Sequence, residues 1–229
     1  WVRKAMALDA LERNDEAVAA AESGIALAPA VAEHRVRLAE IHRSRNDLAA
    51  CFAAATKAVE LDPRCAAGWE SLADVRFHRG ELAEAIADCD RALAADAESI
   101  DAYSIKAAAL LGQERWEESA RSATRANELG PNSPNAYVVR AKAYRALGEG
   151  AKAAADLQRH IDLLSSRAVE SAPLHRVLAQ ALELAGRYDE AIGHLTQVID
   201  AEPQAADAIL TRANLYLKTD RDDRALADA

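Results

Sequence analysis

The chain has 229 residues, of which 51% are hydrophobic but only 4% aromatic, and 57 are alanine, a composition that favours helix and gives a sheet little to pack. With Gly 9 and Pro 6 it lacks the turn chemistry of an all-β sandwich and the period of collagen. The formal charge of -9 argues against a nucleic-acid partner held through its phosphates, and no stretch of 18 uncharged apolar residues is present to span a membrane.

Self-comparison finds a period of 34 residues, the scale of a solenoid rather than a globule. The first repeat, 1–31, has a truncated start, placing Trp1 in the register of Trp69, and ends shortly after Pro29. The second, 32–65, carries Ala39 and Pro63 at matching places. The third, 66–99, has Trp69, Leu72, Ala73, Gly80, Leu82, Ala85 and Ala92. In the fourth, 100–133, Tyr103, Ala107, Trp116 and Ala126 each lie 34 residues after Trp69, Ala73, Leu82 and Ala92, and Pro131 closes the run. The fifth, 134–167, offers Tyr137, Ala141, Tyr144 and Gly148. Four extra residues, 168–171 (Ala168 to Ser171), then interrupt the register. The sixth, 172–205, resumes with His175, Ala179, Gly186, Tyr188, Ala191 and Pro203, and the seventh, 206–229, with Ala213, Tyr216 and Ala225 before a truncated end.

Within each repeat the apolar positions recur at three and four, broken once by a polar turn such as His78-Arg79-Gly80-Glu81. Each repeat therefore reads as two antiparallel helices. Small residues at the eighth position, Ala39, Ala73, Ala107, Ala141, Ala179 and Ala213, let two helix backbones approach closely. Ser165 stands where other repeats carry their closing Pro, which predicts a second helix of the fifth repeat running on to about Arg167.

This pattern resembles the tetratricopeptide repeat along the whole chain: a large residue at position 4, a small one at 8, an aromatic at 11, Gly near 15, Ala at 20 and 27, and Pro at 32. Position 24, aromatic in that family, departs from it here, being Ala21, Ala55, Cys89, Ala123, Leu157, Leu195 and Ala229. The small residues predict tighter packing of second helices with less area per contact, so that each repeat depends on its neighbours. The resemblance implies an all-α, right-handed superhelical solenoid of antiparallel helix pairs. Its ends, cut within repeats and lacking a polar cap helix, suggest a fragment of a longer chain with possible self-association through the uncapped ends.

The resemblance further implies a concave wall built from the first helix of each repeat, with ligand peptides lying along positions 2, 5, 9, 12 and 13. Residues drawn from these positions give a candidate peptide-binding groove of Glu40, Glu70, Asp74, Phe77, His78, Ser104, Leu111, Asn135, Val138, Lys142, Arg145, Arg176 and Gln180. The third repeat carries three basic and eight acidic residues, the fifth six basic and three acidic. A ligand basic at one end and acidic at the other fits that polarity; a merely solvated amphipathic surface is the alternative. Phe77 either anchors an apolar ligand side chain or packs on the neighbouring first helix, and anchoring is favoured because aromatics are enriched at binding hot spots.

The carboxylate clamp found in chaperone-binding members of the family is missing in every register: starting at the fifth repeat its positions hold Val138, Lys142, Val177, Asp207 and Thr211. The Asn ladder at position 6 of glucosaminyl-transferase repeats is missing too, that position holding Arg37, Ser71, Ile105, Val139, Val177 and Thr211. No His spacing suits a metal, no phosphate loop or nucleophile elbow occurs, and Cys51, Cys65 and Cys89 have no base partner, so no catalytic residue, metal or cofactor is assigned. His42, in the aromatic place at position 11, reads as a half-buried structural residue, and Asp222-Asp223 as a solvated face.

The reading is a non-enzymatic scaffold for a protein or peptide ligand. Its rivals are a regulatory or substrate-presenting arm of a larger enzyme such as a glycosyltransferase, and an end-to-end self-assembly module. Three cysteines, taken as reduced, and the N-terminal Trp1-Val2-Arg3-Lys4 without a signal-peptide core point to the cytoplasm, or to the periplasm if a signal lies outside the fragment. Six Lys against 22 Arg with this Ala content suggest a bacterial source.

Overall fold

Alanine-rich segments of low turn propensity, stopped by proline and short polar turns, produce helices of nearly uniform length. A computed structural model describes residues 1–11, 13–166 and 171–228. Among them the chain divides into two compact units, Trp1–Gly130 and Pro131–Ala229.

The N-terminal unit holds four hairpins: α1 (Val2–Ala10) with α2 (Asn14–Leu27), α3 (Ala32–Ser44) with α4 (Leu48–Leu61), α5 (Ala66–His78) with α6 (Leu82–Ala95), and α7 (Ile100–Gly112) with α8 (Trp116–Leu129). The C-terminal unit holds three: α9 (Pro134–Ala146) with α10 (Gly150–Ser165), α11 (Ala172–Leu184) with α12 (Tyr188–Ala201), and α13 (Ala206–Leu217) with α14 (Asp222–Asp228). Within each unit every helix packs on the next in the chain.

Turns and caps follow from residue chemistry. Position 15 of the period takes a left-handed backbone in the second to seventh hairpins, at Asn46, Gly80, Glu114, Gly148, Gly186 and Asp220, with φ between 55 and 78°. Glycine adopts that conformation without steric cost and Asn or Asp at modest cost, whereas Glu114 has no such allowance. Asp47, Ser99 and Ser171 each accept a hydrogen bond from the backbone N–H three residues on, capping α4, α7 and α11, which satisfies an otherwise unpaired donor.

The small residues bring helices into contact. Ala39, Ala73, Ala107 and Ala141 are fully buried. A Cβ on Gly68 would lie 2.8 Å from Val59 Cγ1, so α5 sits on α4 at a distance only glycine permits. At position 24, the described residues Ala21, Ala55, Cys89, Ala123, Leu157 and Leu195 are all buried. The three cysteines are free, Cys51 and Cys89 buried. Burial pushes their thiols up to about 11 and about 12, which keeps them protonated and unreactive.

Position 4 carries a hook. Trp69 Nε1 donates to the Pro63 carbonyl at 2.9 Å and Tyr137 Oη donates to the Pro131 carbonyl at 3.1 Å. Each ties a first helix to the loop before it. His175 occupies that place after the four-residue insertion, and instead its Nδ1 lies 2.9 Å from Nδ1 of His194 on α12, the rings stacked at 28°. Ala168, Val169 and Glu170 of the insertion lie outside the described residues, as does Arg167, to which the second helix of the fifth repeat was expected to reach. The helix itself ends at Ser165, two residues longer than α2, α4, α6, α8 and α12.

Candidate functional site on the first helices

In the N-terminal unit, α1, α3, α5 and α7 touch in succession as well as packing on their hairpin partners. Successive second helices do not pack comparably, so the first helices occupy the inner side of the curve. The surface they share is a wall of polar side chains, several of them bridging adjacent helices. Ser44 Oγ donates to Asp9 at 3.1 Å, Arg43 lies 3.9 Å from Asp74, and Ser99 Oγ donates to Glu70 at 2.6 Å.

This wall gathers Glu40, Glu70, Asp74, Phe77, His78, Ser104 and Leu111. Glu40 is paired with Arg37 at 2.5 Å. Asp74 faces His78 Nδ1 at 3.5 Å, while that nitrogen also sits 2.8 Å from the Asp74 carbonyl. Burial pushes the Glu70 carboxyl up, partly offset by the Ser99 hydrogen bond, with Asp101 and Asp96 nearby adding to the rise. The wall positions are not uniformly exposed. Val36 is buried, and Phe77 packs its half-buried ring against Ala85, Ile86, Ala109 and Leu110. Phe77 thus has a packing duty, because position 12 lies where one hairpin meets the next. Ser104 and Leu111 are half-buried.

In the C-terminal unit the first helices are joined by longer side chains. Arg145 Nη1 donates to the Leu184 carbonyl at 3.1 Å, Arg176 bridges Glu202 at 2.7 Å and Asp207 at 3.1 Å, and Lys218 meets Glu183 at 2.7 Å. The Arg176 guanidinium holds both carboxyls below their usual range. Between α11 and α13 lies a cavity of about 310 Å³ lined by Arg176, Val177, Gln180, Glu183, Asp207 and Thr211. Asn135 and Lys142 are exposed, and Val138 packs on Ala141, Ala153 and Leu157. Asp207 and Thr211 complete the cavity from the last first helix; the same spacing rule that selects Asn135 and Asp101 selects Asp207 at position 2.

Charge is unevenly compensated. Lys142 makes no ion pair with a described residue, and Arg145 spends its guanidinium on a carbonyl, so α9 keeps positive charge. On α5, Glu70 is bonded only to a neutral hydroxyl. Among the described residues no group of three His, Cys, Asp or Glu is placed to hold a metal ion, and no helix is long and apolar enough to cross a membrane.

Antiparallel helix pairs repeated at 34 residues, with their first helices side by side, define a helical-repeat solenoid. Tetratricopeptide repeat models match residues 1–31, 49–100, 106–173 and 182–227, and the chain belongs to the tetratricopeptide repeat family. A search of curated proteins returned no match. Among solved structures, a chain of the APC/C hetero-tetramer Cut9-Hcn1 is similar with a TM-score of 0.79 at 15% identity, over 98% of this chain and 43% of that one. The chain therefore spans less than half the length of that neighbour. PilW, described as a widely conserved type IV pilus biogenesis factor, gives 0.72 at 17% identity over 89% of this chain and 93% of that one. YrrB, described as a TPR protein with an unusual peptide-binding site, gives 0.52 at 22% identity over 76% and 88%.

Proposed function

We propose that the chain is a protein-interaction scaffold that binds an extended peptide or protein segment along its first helices. The supporting observation is that, within each unit, polar side chains cross-bridge neighbouring first helices into a fixed arrangement, in the C-terminal unit beside the cavity between α11 and α13. A pre-set wall reduces the ordering cost that a ligand must otherwise overcome. The family supports the same reading, as does the peptide-binding site named for YrrB, one of the structural neighbours.

Electrostatics set the ligand preference on each wall separately. The α9 wall, with Lys142 and Arg145, favours acidic side chains, and the α5 wall, with Glu70 and Asp74, favours basic ones. The cavity between α11 and α13 suits a small side chain flanked by hydrogen-bonding groups, because Arg176 is already neutralised by two carboxylates.

The test is selection of peptides against the immobilised chain from a random library, followed by amide chemical-shift mapping of the best binder. Shifts concentrated on α3, α5 and α7 or on α9, α11 and α13, and weakened by Lys142→Glu or Asp74→Lys, are expected. Binding mapped instead to the second helices would reject the reading. Affinity should also fall between low and physiological salt, since exposed charges are screened over about 8–10 Å.

A further inference from the structure

The closeness of neighbouring first helices follows the size of position 24. Where that residue is small, as at Ala21, Ala55 and Cys89, the first helix of the hairpin touches the first helix of the next: α1 and α3, α3 and α5, α5 and α7. Where it is Leu157 or Leu195, α9 and α11, and α11 and α13, stand farther apart. Both leucines are buried between the helices in question. Leu157 clusters with Val138 and Ala141 of α9 and with Leu184 of α11. Leu195 clusters with Leu178 and Ala179 of α11 and with Ala208 and Leu215 of α13. In a close-packed interior, leucine in place of alanine at the bottom of the groove keeps the two backbones from closing.

The gap between α11 and α13 holds the cavity of about 310 Å³. Its floor is apolar, since Ala179, Leu195 and Ala208 are all buried, and Val177 at its side is 42% exposed. Gln180 and Thr211 line it from opposite helices. The Thr211 hydroxyl donates to the Asp207 carbonyl at 2.7 Å, which leaves its oxygen free to accept. The cations beside the cavity are already paired, Arg176 with Glu202 and Asp207, and Lys218 with Glu183. The α13 residues that face it, Asp207, Ala208 and Thr211, are not those that face α14, Leu210, Ala213 and Leu217. The gap is therefore set by α11, α12 and α13 alone.

We propose that Leu195 holds open a receptor for one small aliphatic side chain, valine in size, on an extended peptide whose acidic residue sits on Lys142. This rests on the peptide-scaffold reading above and names what the ligand carries. The volume lies at the small end of ligand pockets, roughly 300–1,000 Å³, so it admits one side chain and its main chain rather than a helix. Methyl groups gain by leaving water against the apolar floor. A carboxylate meets no unpaired cation there, and an ammonium would lose its hydration. Lys142 on α9 is one and a half helix spacings from the gap, roughly 15 Å at a typical 8–10 Å per spacing. Extended chain covers that in about four to five residues.

The test uses the whole chain and fluorescein-labelled synthetic nonapeptide mixtures with Asp at residue 2, Gly, Val, Trp, Lys or Asp at residue 6, and all other residues random. By fluorescence anisotropy the Val mixture is expected to bind at least about tenfold more tightly than each of the others. Thr211→Phe fills the cavity from a half-buried position and should bring Val down to the level of Gly. Leu195→Ala should lower the ratio of Val to Gly as well, and that ratio, unlike affinity itself, does not follow a loss of stability. Lys142→Glu should weaken all five mixtures and leave the ratio unchanged. Val and Gly mixtures that bind alike, a best binder carrying Trp, Lys or Asp, or a ratio untouched by Thr211→Phe would overturn the receptor while leaving the scaffold reading in place. Binding of no mixture would overturn both.

Discussion

Arg140 on α9 and Asp156 on α10 meet in a two-pronged ion pair, Nε to Oδ2 and Nη2 to Oδ1 both at 2.7 Å, with the carboxylate nearly out of solvent. Arg212 and Asp228 repeat it two hairpins later, at 2.8 and 2.6 Å. Both pairs join positions 7 and 23, sixteen residues apart. In the second hairpin those positions are Leu38 and Ala54, part of an apolar cluster.

Removing one partner of such a pair strands the other. Asp156→Ala is expected to lower stability by about 3 kcal/mol, while Arg140→Leu with Asp156→Ala, which recreates the Leu38 and Ala54 arrangement, should return most of it. Urea unfolding of the three variants measures this. A double variant no better than the single one would show that the pair is not replaceable by apolar packing.

Glu114 holds a left-handed backbone at φ 59° that a side chain with a Cβ disfavours. Glu114→Gly is expected to raise stability by about 1 kcal/mol. A urea midpoint equal to or below that of the parent would contradict this.

Ala107 is fully buried and its carbonyl accepts from Ser119 Oγ at 2.8 Å. Leucine at this position has no space between α7 and α8. Ala107→Leu should cost about 1–3 kcal/mol, read as a lower Tm.

Nδ1 of His175 and Nδ1 of His194 lie 2.9 Å apart, so one ring nitrogen donates and the other accepts. Burial, and then the neighbouring His175, hold His194 below its ordinary 6.5, with Glu190 opposing. The unfolded chain therefore takes up the proton first, and stability contributed by the neutral pair is lost as pH falls below about 6.5. His175→Phe removes the neighbouring imidazole and should shrink that loss. Denaturant midpoints at neutral and mildly acidic pH, compared between the two proteins, supply the check, since other groups cancel in the difference.

Glu70 has the opposite sign. Its carboxyl is raised above the usual range, so ionisation opposes folding and stability rises as pH falls through the raised value. Glu70→Gln keeps an acceptor for Ser99 and should melt no lower than the parent at neutral pH, without the rise on acidification. A clear drop in Tm at neutral pH would show the charge to be needed.

The helical hairpins were legible because alanine spacing, a turn residue every 34 positions and terminal prolines are local signals that all agree. Gly80, Gly148 and Gly186 announced their turns, but Glu114 did not, since only the neighbouring repeats and not its own chemistry dictate a left-handed backbone there. The wall was legible only as a rule of spacing. Phe77 reads as a groove residue because its register position borders both the wall and the junction between hairpins, and the ring packs against Leu110. The arginine–aspartate pairs were hidden in the sequence as ordinary surface charges. Their one signal was the recurrence of Arg and Asp sixteen residues apart in two repeats.

A polypeptide made of near-identical hairpins faces a hazard that unrelated helices do not: a helix can pair with its neighbour's mate. Positions 7 and 23 vary from hairpin to hairpin, being Leu72 and Asp88, Lys106 and Ser122, Arg140 and Asp156, Leu178 and His194. If α10 exchanged its mate for α11, Asp156 would be left facing Leu178, and Arg140 would lose its carboxylate. The latch that costs little in the correct pairing thus penalises the wrong one, giving an array of look-alike parts an assembly order.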